Sequence, residues 1–187
     1  YGWEPDYFSF NEPDYGVNVK FDPAVYPGML NYMGRAFAGK GIKTKFLLGD
    51  TTTPRALCAY IDHTTRVRDV MQSAGAIGFH SWGGASQAEY QAIRSLATGL
   101  DLPLIVSETG FDASAYKTPW IFDSWYYALS DLRNMQELIC HAMPHSMLYW
   151  EYTSDYSLFL HKRNSRQELI PGPRYWFIKH YMTMTFP

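Results

Sequence analysis

Residues 104–110 read LIVSETG, an apolar run that ends in a glutamate, Glu108, directly before a turn. Near the start of the chain, residues 7–13 read YFSFNEP and place a second glutamate, Glu12, in the same kind of position. Glutamate is depleted in strands, and a carboxylate at the end of a buried strand is unfavourable unless it is paired or used. We therefore expect one site that is built from the ends of two distant strands.

Strand-like and helix-like segments alternate along the whole chain. The predicted strands cover residues 7–10, 44–50, 76–82, 104–108 and 146–152. The spacing of apolar side chains predicts helices over residues 23–39, 53–73 with a break near 62, 86–98, 122–143 and 173–182, and a loop or hairpin over 156–169. Strands that are separated by helices of this length predict an α/β fold, with a parallel sheet covered by helices.

The composition argues against several classes of protein. The 187 residues suffice for one domain with a core, and a net charge of −2 without a basic run makes nucleic acid an unexpected partner. No run reaches the length of a membrane span, and no metal-binding motif or glycine-rich phosphate loop is present, so we expect no cofactor and no metal. Aromatic residues make up 17% of the chain, which suits flat ligands such as sugar rings. Cys58 and Cys140 are predicted to be buried free thiols.

Polar residues follow one predicted strand after another at its carboxyl end. This is the arrangement of a (β/α)8 TIM barrel, whose active site lies at the carboxyl-terminal face of the strands. A complete barrel needs eight strand–helix units and about 250 residues, whereas the chain supplies five predicted strands and opens abruptly at Tyr1. We therefore expect an incomplete barrel with an exposed sheet edge.

At these residues the chain resembles the clan A glycoside hydrolases. In that clan the acid/base glutamate follows an asparagine at the end of strand four, as in residues 11–13, and the nucleophile ends strand seven, as in residues 107–110. Residues 172–181 are similar to the last barrel helix of glycoside hydrolase family 30, and family 5 is the next most similar. The resemblance implies that residues 1–187 are the C-terminal part of a catalytic barrel. Strands four to eight are then present, and strands one to three and a β-sandwich side domain are absent.

The resemblance implies a retaining O-glycoside hydrolase that acts on a β-linked glycan or glucoside. In such an enzyme two carboxyl groups stand roughly 5–5.5 Å apart. Glu108 would attack the anomeric carbon, and Glu12 would protonate the leaving oxygen and then activate water. Glu108 must stay ionised, which needs hydrogen-bond donors or a nearby cation, and in the family the cation comes from strands one to three.

The resemblance also implies a set of substrate-binding residues. Asn11 would hydrogen-bond the sugar 2-hydroxyl, and His80 would contact a glutamate or the sugar. Trp150 would stack on a sugar ring, with Trp82 as a second wall and Tyr152 nearby. Trp82 departs from the tyrosine that is usual in the clan, and an indole N–H can donate a hydrogen bond but cannot accept one.

Each of these residues also has a purely structural interpretation. The glutamates would then be helix N-terminal or surface carboxylates, Asn11 would form an Asx-turn, and the histidine and tryptophans would belong to the core. At the level of function, the alternatives are a non-catalytic carbohydrate-binding or scaffold protein, and a fragment that is active only when an N-terminal complementing fragment or self-association closes the sheet. Polysaccharide hydrolases are usually exported, so we expect a secreted or extracytoplasmic protein. The sequence names neither the sugar and its linkage nor endo or exo action.

Overall fold

The computed structural model describes residues 2–16, 19–151, 156–161 and 169–184. Its centre is a five-stranded parallel sheet in which the order of the strands equals their order along the chain. The strands are β1 (Tyr7–Ser9), β2 (Lys45–Thr51), β3 (Ala74–His80), β4 (Leu104–Thr109) and β5 (Ser146–Tyr149). A separate antiparallel pair, β6 (Phe159–His161) and β7 (Leu169–Pro171), lies in and next to the segment that was predicted as a loop or hairpin.

Helices connect the parallel strands and cover the outer face of the sheet. They are α1 (Tyr26–Gly39), α2 (Pro54–Thr65), α3 (Arg68–Gln72), α4 (Gln87–Gly99), α5 (Trp125–Glu137) and α6 (Pro173–Met184). Two 3₁₀ turns, Ala115–Lys117 and Pro119–Asp123, precede α5, and a π-helical turn, Leu138–Ala142, continues it.

The predicted helix break near Asp62 is wrong by about one turn. Asp62 lies inside α2, where its carboxylate pairs with Arg66 four residues later, a spacing that supports a helix. The helix ends at Thr65, where the hydroxyls of Thr64 and Thr65 bond back to preceding carbonyl groups. Such side-chain bonds compete with the helical backbone, so α2 and α3 are separate helices.

Strand side chains alternate between an apolar outer face and a more polar inner face. The outward side chains pack into the core beneath α1, α2 and α4, and all are almost fully buried: Phe46, Leu48, Ile77, Phe79, Leu104 and Val106. The inward set includes Ser9, Ser107 and His80. Asp50 accepts hydrogen bonds from Ser9 of β1 and from Ser107 of β4. In a flat sheet these two strands would lie about 14 Å apart, so the sheet must be strongly curled.

The five parallel strands therefore form a curled half-barrel that corresponds to strands four to eight of a TIM barrel, as predicted. Among the described residues, β1 and β5 each pair on one side only and form the two edges of the sheet. In the described part of the chain, every helix is too short or too polar to cross a membrane.

The prediction of buried thiols is wrong, because Cys58 and Cys140 are both exposed. The buried face of α2 is formed by side chains such as Leu57 and Ile61, which leaves Cys58 on the outer side of the helix. Cys140 likewise lies between the buried residues Leu138 and Ala142 of the π-helical turn.

A bulge at the end of β2 turns Asp50 into the concave face of the sheet. Gly49 has φ +87° and Asp50 has φ +50°, and the pairing with β3 shifts register between Gly49 and Thr51. A Cβ atom on Gly49 would lie 2.4 Å from the Leu57 Cδ1 atom and 2.9 Å from the Gly78 carbonyl oxygen. Glycine is therefore required here by both the backbone conformation and the close contact.

We expect Gly49→Ala to lower the free energy of unfolding by about 1–3 kcal/mol, the usual size of a strained backbone or an overpacked core. Urea denaturation measures this loss. Gly28→Ala is the matched control, because a Cβ atom there meets no atom within 4 Å and lies in α1. Alanine in a helix is about 1 kcal/mol more favourable than glycine, so the control should be neutral or stabilising. Equal effects of the two substitutions would contradict the bulge argument.

Candidate active site

Four polar side chains from the ends of β1 to β4 meet on the concave face. His80 lies at their centre, and its ring is 1% exposed. Its Nδ1 atom lies 3.0 Å from Glu108 Oε2 and 3.3 Å from Glu12 Oε1, and its Nε2 atom lies 3.4 Å from Asp50 Oδ1. Neither ring nitrogen has the alignment of a regular hydrogen bond, so these are primarily charge contacts.

The surrounding carboxylates keep His80 protonated. Burial alone lowers the pKa of an imidazole, but here Asp50, Glu108 and Glu12 outweigh that effect and raise the pKa of His80 to about 11. Burial also works against the ionised form of Asp50, yet contact with His80 and hydrogen bonds from two serine hydroxyls hold its pKa below the usual value. In the family that the chain resembles, the cation beside the nucleophile comes from barrel strands one to three. In this structure a cation, His80, lies on β3, which corresponds to barrel strand six.

Glu12 and Glu108 meet at one ring nitrogen of His80, Nδ1. Their side chains are 12% and 14% exposed, and a carboxylate oxygen of one lies within 4.8 Å of one of the other. This separation is close to the roughly 5–5.5 Å of retaining glycosidases and shorter than the roughly 6.5–9.5 Å of inverting ones. Glu12 has φ +51°, which is uncommon for a residue with a side chain, and its N–H donates to the Asp50 carbonyl at 2.9 Å. The bulged end of β2 thus holds the backbone of Glu12 in place.

Trp82 contacts Glu108 through its indole nitrogen. The Nε1–H group donates to Glu108 Oε2 at 3.1 Å, and the ring is packed against Tyr156 at a centroid distance of 5.3 Å. Only 5% of Trp82 is exposed, so it serves the site as a hydrogen-bond donor more than as an open wall. A Cβ atom on Gly110 would lie 2.0 Å from the Trp82 ring, so glycine at 110 makes room for the indole.

The loops that carry Trp82 and follow Glu108 are joined by buried hydrogen bonds. The Ser81 hydroxyl donates to the Gly110 carbonyl at 2.6 Å and accepts from the Gly110 N–H at 2.9 Å. The side-chain amide of Asn134 in α5 donates to the same hydroxyl and to the same carbonyl. These hydrogen bonds hold both loops against α5, so a helix fixes the position of the loops that surround the candidate site.

The remaining predicted residues lie at different places around this cluster. Asn11 is exposed beside Glu12. Trp150 follows β5, is 39% exposed, and donates its backbone N–H to the Thr109 carbonyl at 3.1 Å, next to Glu108. Tyr152 lies outside the described residues.

Sequence reasoning missed Asp50, Ser81 and Asn134. The sequence could have predicted Asp50 as a site residue, because it ends the mainly apolar run of residues 45–50, just as the two glutamates end their runs. Ser81 and Asn134 could not have been predicted, since a serine beside a turn and an asparagine in a helix are ordinary.

Glu12, His80 and Glu108 also present donor atoms close enough together to hold a metal ion, all within 4.8 Å of one another. A metal would bind the neutral imidazole. A metal at this cluster would therefore have to displace the proton that the surrounding carboxylates favour on the ring.

The raised pKa of His80 predicts a pH-dependent contribution to stability. A folded-state pKa of about 11 against an ordinary value of 6.5 means that the contribution is complete below pH 6.5 and is lost as the pH rises towards 11. We therefore expect the loss of stability in His80→Gln to be largest below pH 6.5 and to shrink steadily at alkaline pH. Urea unfolding at several pH values measures it, with His180→Gln at an exposed position of α6 as the matched control. A difference between wild type and His80→Gln that stays constant with pH would contradict the assignment.

No protein-family model and no curated protein matches the chain. In contrast, 34 chains of solved structures match it. A family 30 subfamily 8 xylanase from Clostridium acetobutylicum has a TM-score of 0.70 and 13% identity over 97% of this chain and 42% of its own. A family 39 β-xylosidase from Caulobacter crescentus has a TM-score of 0.69 and 17% identity, over 96% of this chain and 42% of its own. A conserved exported protein from Bacteroides fragilis has a TM-score of 0.67 and 15% identity, over 100% of this chain and 47% of its own.

The chain spans less than half of the length of each of these three proteins. At this level of identity the likeness concerns the fold. The resemblance to clan A and to family 30 is thus confirmed for the fold alone: the chain shares its curled half-barrel with these glycoside hydrolases.

Proposed function

We propose that the chain carries the catalytic glutamate pair of a retaining O-glycoside hydrolase that acts on a β-linked glycan or glucoside. The observation that carries this proposal is the approach of Glu12 and Glu108 to within 4.8 Å of each other at the Nδ1 atom of His80. The order of the two glutamates on strands equivalent to four and seven, and the fold of the glycoside hydrolases that the chain resembles, support it.

In the first step, a Glu108 oxygen attacks the anomeric carbon while the bond from that carbon to the leaving oxygen breaks. Glu12 gives its proton to the leaving oxygen, so the products are a glycosyl ester on Glu108, an alcohol and an ionised Glu12. The Trp82 indole and the His80 imidazolium both contact Glu108 Oε2, and together they orient this carboxylate for the attack.

In the second step, Glu12 removes a proton from water as the water oxygen attacks the anomeric carbon. The ester bond breaks, Glu108 leaves as a carboxylate, and Glu12 is protonated again. The Nδ1 atom of His80 contacts both glutamates. In each stage one of them is ionised, Glu108 before the ester forms and Glu12 afterwards, so the same buried cation balances both stages.

The substrate and the setting of the site are also part of the proposal. The xylanase and the β-xylosidase among the structures of similar fold make β-linked xylose oligomers the first substrates to test. We place the working site in a closed barrel, in which further parallel strands pair with the free edges of β1 and β5. An N-terminal segment, a complementing fragment or a second copy would supply them. A location outside the cytoplasm fits a polymeric substrate and the exported protein of similar fold.

A mechanism-based inactivator tests the nucleophile. We expect a 2-deoxy-2-fluoro β-xylobioside with a good leaving group to add one 2-fluoroxylobiosyl group to Glu108 of the intact protein, because fluorine slows hydrolysis of the ester more than its formation. Peptide mass spectrometry identifies the labelled residue. Glu108→Gln should take no label, and Glu137→Gln, an exposed glutamate of α5, should be labelled like wild type. Binding of xylobiose without any labelling would instead favour the carbohydrate-binding alternative.

Leaving groups of different quality test Glu12. We expect Glu12→Gln to slow hydrolysis of an alkyl xyloside by about 10²–10⁴-fold, the usual worth of a general acid, since its leaving oxygen needs a proton. Formation of the glycosyl ester from an activated aryl xyloside should be spared, and stopped-flow kinetics separates this step from ester hydrolysis. Equal slowing of that step for both substrates would show that Glu12 is not the acid.

A further inference from the structure

The guanidinium of Arg174 is buried at a junction of several elements. Arg174 is the second residue of α6 and only 2% exposed. Its Nε–H donates to Asp131 Oδ2 in α5 at 3.1 Å, and its charge lies 4.9 Å from the centre of the Tyr149 ring. The Tyr149 hydroxyl donates to the same Asp131 oxygen. The Nε side of the guanidinium is therefore paired with Asp131, and its charge lies against the Tyr149 ring. The two outer nitrogens, Nη1 and Nη2, donate hydrogen bonds to other residues.

The first outer nitrogen fixes the backbone of Trp150. Arg174 Nη2 donates to the Trp150 carbonyl at 3.2 Å, and the Trp150 N–H donates to the Thr109 carbonyl at 3.1 Å. Trp150 is thus held at both polar backbone groups, from one side by α6 and from the other by the residue that follows Glu108. The backbone that carries the half-exposed indole is therefore held in one position next to the residue that follows Glu108.

The second outer nitrogen is connected to Trp82 through Tyr156. Arg174 Nη1 donates to the Tyr156 carbonyl at 2.6 Å. The Tyr156 ring packs on the Trp82 ring, and its hydroxyl donates to the Asp112 carbonyl at 2.8 Å. Since the Trp82 indole donates to Glu108, Tyr156 connects the guanidinium to the hydrogen bond that holds the candidate nucleophile.

We propose that Arg174 is a positioning residue that sets both tryptophans beside Glu108, Trp150 directly and Trp82 through Tyr156. Its planar fork suits this task, because three donors point in fixed directions to a carboxylate and two carbonyl oxygens. The consequence for catalysis rests on the proposed function, whereas the positioning of the tryptophans does not.

Nuclear magnetic resonance of the wild-type protein gives the first test. In arginine labelled with ¹⁵N, the two Nη groups of Arg174 should give separate signals, because each is held by a different carbonyl oxygen. A single averaged signal would mean that the fork is not held, and it would overturn the proposal without any variant.

Arg174→Lys gives the second test, since lysine keeps the charge near Asp131 but has one nitrogen and no fork. We expect the indole N–H resonances of Trp82 and Trp150, assigned with Trp82→Phe and Trp150→Phe, to shift by more than a linewidth. The resonance of Trp3, which is 80% exposed and lies near the other end of the chain, should stay in place. If both tryptophan resonances keep their wild-type positions, Arg174 only stabilises the fold.

Ile178→Ala controls for a general loss of stability. Ile178 is a buried residue on the same helix, and its truncation should lower Tm while it removes none of the three donors of the fork. We expect Trp82 and Trp150 to keep their resonances in this variant. Failure of the inactivator to label Glu108 would refute the proposed function and leave this result intact, whereas unshifted indole resonances in Arg174→Lys would refute the positioning role alone.

Discussion

The site depends on one buried positive charge among carboxylates. A protonated imidazole away from water is unfavourable by itself, and so is each carboxylate around it. His80 is stable there because Asp50, Glu12 and Glu108 all reach its ring nitrogens. Asp50 in turn needs the hydroxyls of β1 and β4 on either side, which only a curled sheet brings together. The charge balance of the site therefore depends on the curvature of the half-barrel.

Much of the fold could be predicted from the sequence, because local patterns carry it. Apolar runs that end in a carboxylate are unusual, and the carboxyl ends of parallel strands lie on one side of a sheet, so Glu12 and Glu108 were predicted to share a site. Asp50 ends a similar run but was passed over, since its role depends on a bulge that turns it inward. Arg174 and Asp131 gave no signal, because charged residues in helices are ordinary and only tertiary packing shows that these two are buried.

The same alternation of side chains builds the core and the site. Outward positions of β2, β3 and β4 are apolar and pack under the helices, while inward positions carry Ser107 and His80. Register shifts near the carboxyl ends of these strands then re-aim the last residues, including Glu108. A strict period of two would have sent neighbouring residues to opposite faces, so the register shifts are what bring Asp50 and Glu108 to the same face as His80.

The two glutamates differ in how firmly this half of the barrel holds them. Glu108 lies on β4, which is paired on both sides, and Trp82 and His80 both contact its carboxylate. Glu12 follows β1, a three-residue strand that pairs with β2 alone among the described residues, and its backbone N–H donates to the Asp50 carbonyl. A strand that paired with the outer edge of β1 would lie closer to Glu12 than to Glu108. Closure of the barrel should thus affect Glu12, the proposed acid/base residue, more than Glu108, the proposed nucleophile, which lies on a strand paired on both sides.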